Sequence, residues 1–268
     1  MKGFLISDIH ADHIGNGNPS KAKILRYLEK HLCPADVLFI AGDISDSATA
    51  FATTIDALCG LYSKVVYCFG NHDMTVHKSV NESSHQKTLR AVNKISSTNS
   101  LRMNGNFIDL TESTRLGGTI GAYDFSYANK HFGLSFECMM NRWKDWYDGR
   151  HWKLDNMTYA DFLKDETNKM NTLVFNEQCN LMMTHFGPFA NNIPSRFHNP
   201  ETGFFYFDGL KYLDSMPNGS IWLYGHTHTK KILDLGNIRL MCNPIGYPGE
   251  LTNDDGTFDK TEFLFDIR

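Results

Sequence analysis

The chain has 268 residues, a 41% hydrophobic share and 19 phenylalanines, enough apolar material for one large domain or two small ones. Its formal net charge of −4 and pI near 6.3 give no electrostatic footprint for nucleic acid or an anionic membrane surface, and no apolar run approaches the roughly 18 residues of a membrane span. The six cysteines (33, 59, 68, 138, 179 and 242) are scattered without a C-x-x-C pair, which suits reduced thiols in a cytoplasmic protein better than a disulfide frame or a zinc ribbon.

The opening apolar run is too short for a signal peptide and reaches Asp8 at once. Phe4-Leu5-Ile6 reads as a short strand, followed by Ser7-Asp8-Ile9-His10. Asp8 and His10 are two apart, so an extended backbone turns both side chains the same way. A carboxylate and an imidazole so placed can grip one divalent cation, although a turn Asp beside a surface His is the plainer reading of the pair alone. Residues 20–32 predict an amphipathic helix, with Ile24, Leu25, Leu28 and Leu32 at helical spacing. Val37-Leu38-Phe39-Ile40-Ala41 is a buried strand whose end carries Gly42-Asp43-Ile44-Ser45-Asp46. A second helix over 47–58 leads to a strand over 64–69, which ends in Gly70-Asn71-His72-Asp73. This strand–helix alternation predicts a parallel sheet with right-handed crossovers. Such a sheet carries Asp8, Asp43 and Asn71 to one rim, where open α/β sheets place ligands.

Residues 81–95 are polar and then helical, and 107–110 and 116–120 could pair as strands. Residues 123–178 hold no metal motif and predict a mainly helical stretch. Its Trp143, Trp146 and Trp152, with Arg142, Arg150 and His151, fit core packing between helices better than substrate contact. Leu181-Met182-Met183 is a strand ending in Thr184-His185-Phe186-Gly187-Pro188. A long loop over 186–208 carries Arg196, which could clamp a phosphate or stand solvated. Ile221-Trp222-Leu223-Tyr224 ends in Gly225-His226-Thr227-His228. The tail, over 231–235, 238–242 and 262–267, reads as antiparallel strands.

Taken together, D-x-H, G-D-x-x-D, G-N-H-D, the strand-end His185 and G-H-T-H stand in one order over positions 8–228. In this the chain resembles the calcineurin-like metallophosphoesterase superfamily. The resemblance implies an α/β (α+β) sandwich of two packed mixed β-sheets flanked by helices, four layers in all. It implies one such domain over 1–268, with a helical insertion at about 123–178. It implies two divalent metal ions, one held by Asp8, His10 and His228, the other by Asn71, His185 and His226, with Asp43 bridging. A donor set of Asp, Asn and His without Cys suits Mn first, or Fe, Zn, Ni or Co. The family's mechanism would be in-line attack of a metal-bridging hydroxide on phosphorus, with His72 as general acid. Asp46 would be the partner of His72, with Asp73 as the alternative. As a neutral oxygen donor, Asn71 keeps negative charge down and could also touch the substrate phosphate.

Two departures narrow the class. Protein Ser/Thr phosphatases of the superfamily continue G-D-x-V-D-R-G, and here Gly42-Asp43-Ile44-Ser45-Asp46-Ser47-Ala48 lacks that Arg, while the G-N-H block ends in Asp73 and not Glu. Both point away from a protein phosphatase and towards a small or nucleotide-like phosphate ester, mono- or diester; the acidic net charge counts mildly against a nucleic-acid substrate, and no membrane partner is expected. The competing reading is a metal-poor binding scaffold that keeps the fold, but such relatives typically lose ligands or the acid His, and here all eight residues are present.

Overall fold

A computed structural model describes residues 1–15, 17–190, 193, 195–250 and 259–268. Among the described residues, eleven strands and eight α-helices follow one another. They are β1 (Lys2–Ile6), α1 (Lys21–Leu28), β2 (Val37–Ala41), α2 (Ala48–Cys59), β3 (Lys64–Cys68), α3 (Ser84–Asn93), β4 (Ser100–Arg102), β5 (Asn106–Asp109) and β6 (Arg115–Gly118). Then come α4 (Ser126–Phe132), α5 (Phe136–Trp143), α6 (Tyr147–His151), α7 (Tyr159–Asn171), β7 (Leu181–Met183), α8 (Leu210–Leu213), β8 (Ile221–Tyr224), β9 (Lys231–Leu235), β10 (Ile238–Cys242) and β11 (Leu264–Asp266). No described helix is long and apolar enough to cross a membrane.

The strands form two mixed sheets, ordered β11-β1-β2-β3-β4 and β5-β6-β7-β8-β10-β9. In the first sheet β1 to β4 run parallel, as the alternation predicts, and β11 closes the edge antiparallel to β1. In the second, β6, β7, β8 and β10 run parallel between two antiparallel edges. One buried apolar cluster joins the first sheet to Leu116, Leu181, Met183, Leu223 and Met241 of the second. The same cluster takes in Ile24, Leu28, Phe51, Ile55 and Leu58 of α1 and α2, on the outer face of the first sheet. Another cluster packs the outer face of the second sheet, through Met182, Trp222 and Leu240, against Met139, Trp143, Tyr159 and Met170 from α5 and α7. The order is therefore helices, sheet, sheet, helices. β2 is buried at every position because it lies inside this stack, so its continuous apolar run is what both faces require.

Several local expectations change. The helix expected over 20–32 ends at Leu28, although Ser20 caps it as a hydroxyl should, accepting from the Lys23 amide. β4 and α8 are too short for periodicity to reveal. The tail is not simply antiparallel, since β10 pairs antiparallel with β9 but parallel with β8. That pairing sends the end of β10 to the same rim as the end of β8. The loop read over 186–208 contains 3₁₀ turns at Ser195–Phe197 and Pro200–Phe204, while 191, 192 and 194 lie outside the described residues.

Candidate metal centre

The ends of β1, β2, β3, β7 and β8 bring Asp8, His10, Asp43, Asn71, His185, His226 and His228 into one pocket. His10 lies 1% exposed and Asp43 1% exposed, so these are polar groups held inside the fold. Asp8 (φ 54°) and His10 (φ 46°) are left-handed, not extended as their spacing predicts, and converge because the chain coils there. Asp43, His226 and His228 are left-handed too. Non-glycine residues take this region at a cost of about 1–3 kcal/mol each, and such strain gathers at functional sites. Gly42 is needed for a second reason. Its φ is +81°, and a Cβ there would stand 2.5 Å from His185 Nδ1.

Backbone amides aim the acids. Asp8 accepts from the His226 amide through both oxygens, at 3.0 and 3.1 Å, and from Ser7 Oγ at 2.5 Å. Asp43 Oδ1 accepts from the His72 amide at 2.9 Å. Two of the imidazoles, His185 and His228, are aimed by their outer nitrogens, whereas the outer nitrogens of His10 and His226 have no hydrogen-bond partner among the described residues. His185 Nδ1 lies 2.9 Å from the Ala41 carbonyl and must donate to it, so Nε2 carries the lone pair. That lone pair points at Asn71 Oδ1, 2.9 Å away, and Asp43 Oδ1, 3.3 Å away. His226 Nδ1 joins the same point, 3.1 Å from Asn71 Oδ1 and 3.2 Å from His185 Nε2. On the other side His228 Nδ1 is held by Glu250 at 2.7 Å. Its Nε2 then faces His10 Nε2 at 3.1 Å and Asp8 Oδ1 at 3.5 Å. Asp43 Oδ2 lies 3.9 Å from His10 Nε2.

Thus ring nitrogens and amide or carboxylate oxygens crowd together at two points, with one oxygen of Asp43 turned to each. Positive charge at both would hold that crowd together. Protons can supply it: burial is the largest influence on His185 and disfavours its charge, but Asp43, Asp8 and the Ala41 carbonyl together outweigh it and lift the imidazole to about 9. His228 is likewise lifted to about 9, with Asp8 and Glu250 together outweighing burial. Their partners move the other way, His10 down to about 4 and His226 down to about 3, chiefly through burial. The opposed directions are those of a proton shared within each pair of imidazoles. A divalent cation can replace that proton, and the N/O donors fit one. Among the described residues, three groups bring their ligand atoms within 4.8 Å of one another: Asp8, His10 and His228; Asp43, His185 and His226; and His10, Asp43 and His72.

His72 belongs to the last of these groups, its ring 4.7 Å from that of His10. Asp46, not Asp73, is its partner, with Oδ1 at 2.8 Å from Nδ1. Asp73 instead accepts the amides of Ile44, Ser45 and Gly70, tying the β2 turn to the β3 turn. Burial opposes charge on His72, but Asp43 and Asp46 outweigh it and hold the imidazole at about 9. Arg196 does not join this group. It lies on the exposed Ser195–Phe197 turn, its guanidinium 4.7 Å above the Phe197 ring.

Several neighbours carried no signal in the sequence. Asp148 accepts from Asn71 Nδ2 at 2.9 Å and from Tyr123 OH at 2.9 Å, and Trp143 Nε1 donates to that same hydroxyl. Trp152 Nε1 donates to the Asn71 carbonyl at 3.0 Å. Trp143 and Trp152 do pack in the core, as expected, yet both also support the site. Tyr147 stacks on His72 at 4.6 Å and its hydroxyl donates to Asp46 at 2.8 Å. Tyr247 stacks on His10 at 4.1 Å with its hydroxyl 3.3 Å from His72 Nε2. The Gly246-Tyr247-Pro248-Gly249 turn after β10 was the available clue, since β10 ends at this rim.

Comparison with known proteins agrees with this geometry. A family model described as calcineurin-like phosphoesterase matches residues 1–230. Uncharacterized protein L509 of Acanthamoeba polyphaga mimivirus is 24% identical over 277 residues, with 92% of each chain covered. The crystal structure of phosphopantetheinyl hydrolase from Mycobacterium tuberculosis shares the fold at a TM-score of 0.76 and 17% identity, covering 98% of this chain and 94% of that one.

Proposed function

The chain belongs to the calcineurin-like phosphoesterase family, and from that premise we propose that it hydrolyses a small phosphate ester with two divalent cations bridged by Asp43. The observation that carries this reading is the convergence of ring nitrogens and oxygens on two points, one at each oxygen of a single buried carboxylate. Asp8, His10 and His228 would hold one cation, and Asn71, His185 and His226 the other. Manganese is the first choice for this donor set, with Fe, Zn, Ni or Co as alternatives. When bound, such a pair acidifies a water and neutralises phosphate oxygens for in-line displacement.

The protein's own groups do the rest. His72 is pushed up to about 9 against burial by Asp43 and Asp46 and is pinned at Nδ1 by Asp46, so Nε2 would hold the proton to be delivered. In the reaction a bond forms from water oxygen to phosphorus, and the ester P–O bond breaks. The departing oxygen takes the His72 proton, and the water proton passes to solvent. Asn71, with its amide nitrogen committed to Asp148, presents its oxygen to the cation side. The half-buried Tyr147 stacks on the His72 imidazole and the half-buried Tyr247 reaches its Nε2, which keeps the ring in place.

The test is turnover of purified, Mn-loaded protein on p-nitrophenyl phosphate, bis-p-nitrophenyl phosphate, cyclic nucleotides and short oligonucleotides. Hydrolysis that is lost on chelation is expected, and silence on every ester would favour a scaffold that keeps the fold. His72→Ala should retain both cations and lose about 10²–10⁴-fold in kcat. An unchanged kcat would remove His72 from the mechanism.

A further inference from the structure

Beside the metal centre lies a cleft of about 530 Å³ whose exposed lining is mainly apolar surface of Trp146, Ile193, Phe197, Phe205 and Tyr206, with Thr227 and the charged Arg196, Glu201, Lys230 and Lys231 also along its walls. Two contacts join it to the site. The Phe205 ring lies 4.7 Å from the His226 ring, and Thr227 sits in the chain between His226 and His228. On the other flank, Trp146 directly precedes Tyr147, the residue stacked on His72 and bonded to Asp46. A larger cavity of about 650 Å³ lies at the opposite rim, by Leu181, Ile221 and Ile238, and touches none of the site residues.

The cleft spends apolar surface on water. Phe197 is 45% exposed there, on a turn that could have carried a polar residue. Apolar walls of this size next to a polar centre are the usual form of a small-molecule site, in which the apolar part gives affinity and a few polar groups give orientation. Resting on the phosphoesterase reading above, we propose that this cleft receives the leaving alcohol of the substrate. That alcohol is an extended, mainly apolar chain or ring system and not a short polyol. The phosphate sits at the metal centre, and the ester oxygen faces His72. The arm runs past Trp146 and Phe205 into the cleft. On cleavage the arm leaves as the alcohol, carrying the His72 proton.

A homologous series of alkyl phosphates tests this on the full-length, Mn-loaded protein, below micellar concentrations, with release of inorganic phosphate as the readout. Each methylene that enters an apolar cleft is worth about a fourfold gain. From butyl to octyl phosphate kcat/KM should therefore rise at least about tenfold, given incomplete burial. Phe197→Ser, on the exposed turn, should pull the octyl-to-butyl ratio towards unity. Octylphosphonate should quench tryptophan fluorescence saturably and butylphosphonate should not, which reports binding without turnover. A flat chain-length profile with butyl phosphate still hydrolysed would overturn this inference alone. Absence of hydrolysis across the series, with octylphosphonate still bound saturably, would overturn the phosphoesterase reading and leave the cleft in place. A ratio unchanged in Phe197→Ser would place the arm elsewhere and contradict the assignment.

Discussion

Asn71 shows how much of the site depends on residues behind the ligands. An asparagine amide can present either its oxygen or its nitrogen to a cation, and only the oxygen binds. Here Asp148 takes the nitrogen, and Asp148 is itself fixed by Tyr123, which accepts from Trp143. All of this lies in the interior, Asp148 and Tyr123 with no exposure at all. Burial lifts Asp148 to about 6, and the donors from Asn71 and Tyr123 work against that rise. Replacing Asp148 by Ala should free the Asn71 amide to rotate. Outer partners of metal ligands typically contribute 10–100-fold in affinity. Calorimetric titration with Mn should accordingly show one of two binding steps weakened by about that factor and the other unchanged. Equal weakening of both steps would mean that the substitution had disturbed the fold instead. None of this was legible in the sequence. Tyr147 and Asp148 stand alone in a stretch without a metal motif, and their role comes only from where α6 packs. The candidate ligands that the fold brings together were legible because each sits in a short pattern at a strand end, where glycine, acid and histidine types are locally constrained.

At the scale of elements, the site is a set of turns held by strands. The turn after β2 shows the constraint most clearly: Gly42 and Asp43 are both left-handed, and Asp73 from the next turn accepts two of its amides. Gly42→Ala combines an unfavourable φ with a Cβ against His185 Nδ1. It should cost at least about 1–3 kcal/mol of stability, seen as a lower urea midpoint with an unchanged slope. A midpoint within error of the parent would mean the turn relaxes freely. The strands of the parallel core were readable because burial on both faces leaves continuous apolar runs such as Val37 to Ala41. Their register against one another was not readable, since nothing local distinguishes β10 pairing with β8 from β10 as part of a plain hairpin. That missed pairing is why Tyr247 and Glu250, just past β10, escaped notice. The coil at Asp8 and His10 escaped for a related reason. Alternation assumes extended backbone, and strand ends at a ligand site are where that assumption fails.

Across the whole molecule, the metal centre ties stability to pH. His72, His185 and His228 have folded pKa values near 9, above the ordinary histidine value of 6.5. Their contribution is therefore full below about 6.5 and is lost as pH rises through 9. His10 and His226, lowered to about 4 and about 3 by burial, act in the opposite sense. Their neutral forms belong to the fold, so stability falls as pH drops below 6.5. Metal-free protein should accordingly show its highest Tm near neutrality and lose stability towards pH 9, where added Mn should raise Tm most because it no longer displaces protons from His185 and His228. A Tm that climbs steadily to pH 9 without metal would contradict the proton-for-metal exchange. The two sheets make this coupling global: amides of Ser7, Ile245 and Gly246 stitch the end of β1 to the segment after β10 beside the ligands.

Anomalous diffraction from crystals grown with manganese tests the central claim most directly. The account predicts two peaks about 3.5–4 Å apart, one within ligand distance of Asp8, His10 and His228 and one within ligand distance of Asn71, His185 and His226, with Asp43 touching both. A single peak, or peaks away from Asp43, would contradict it.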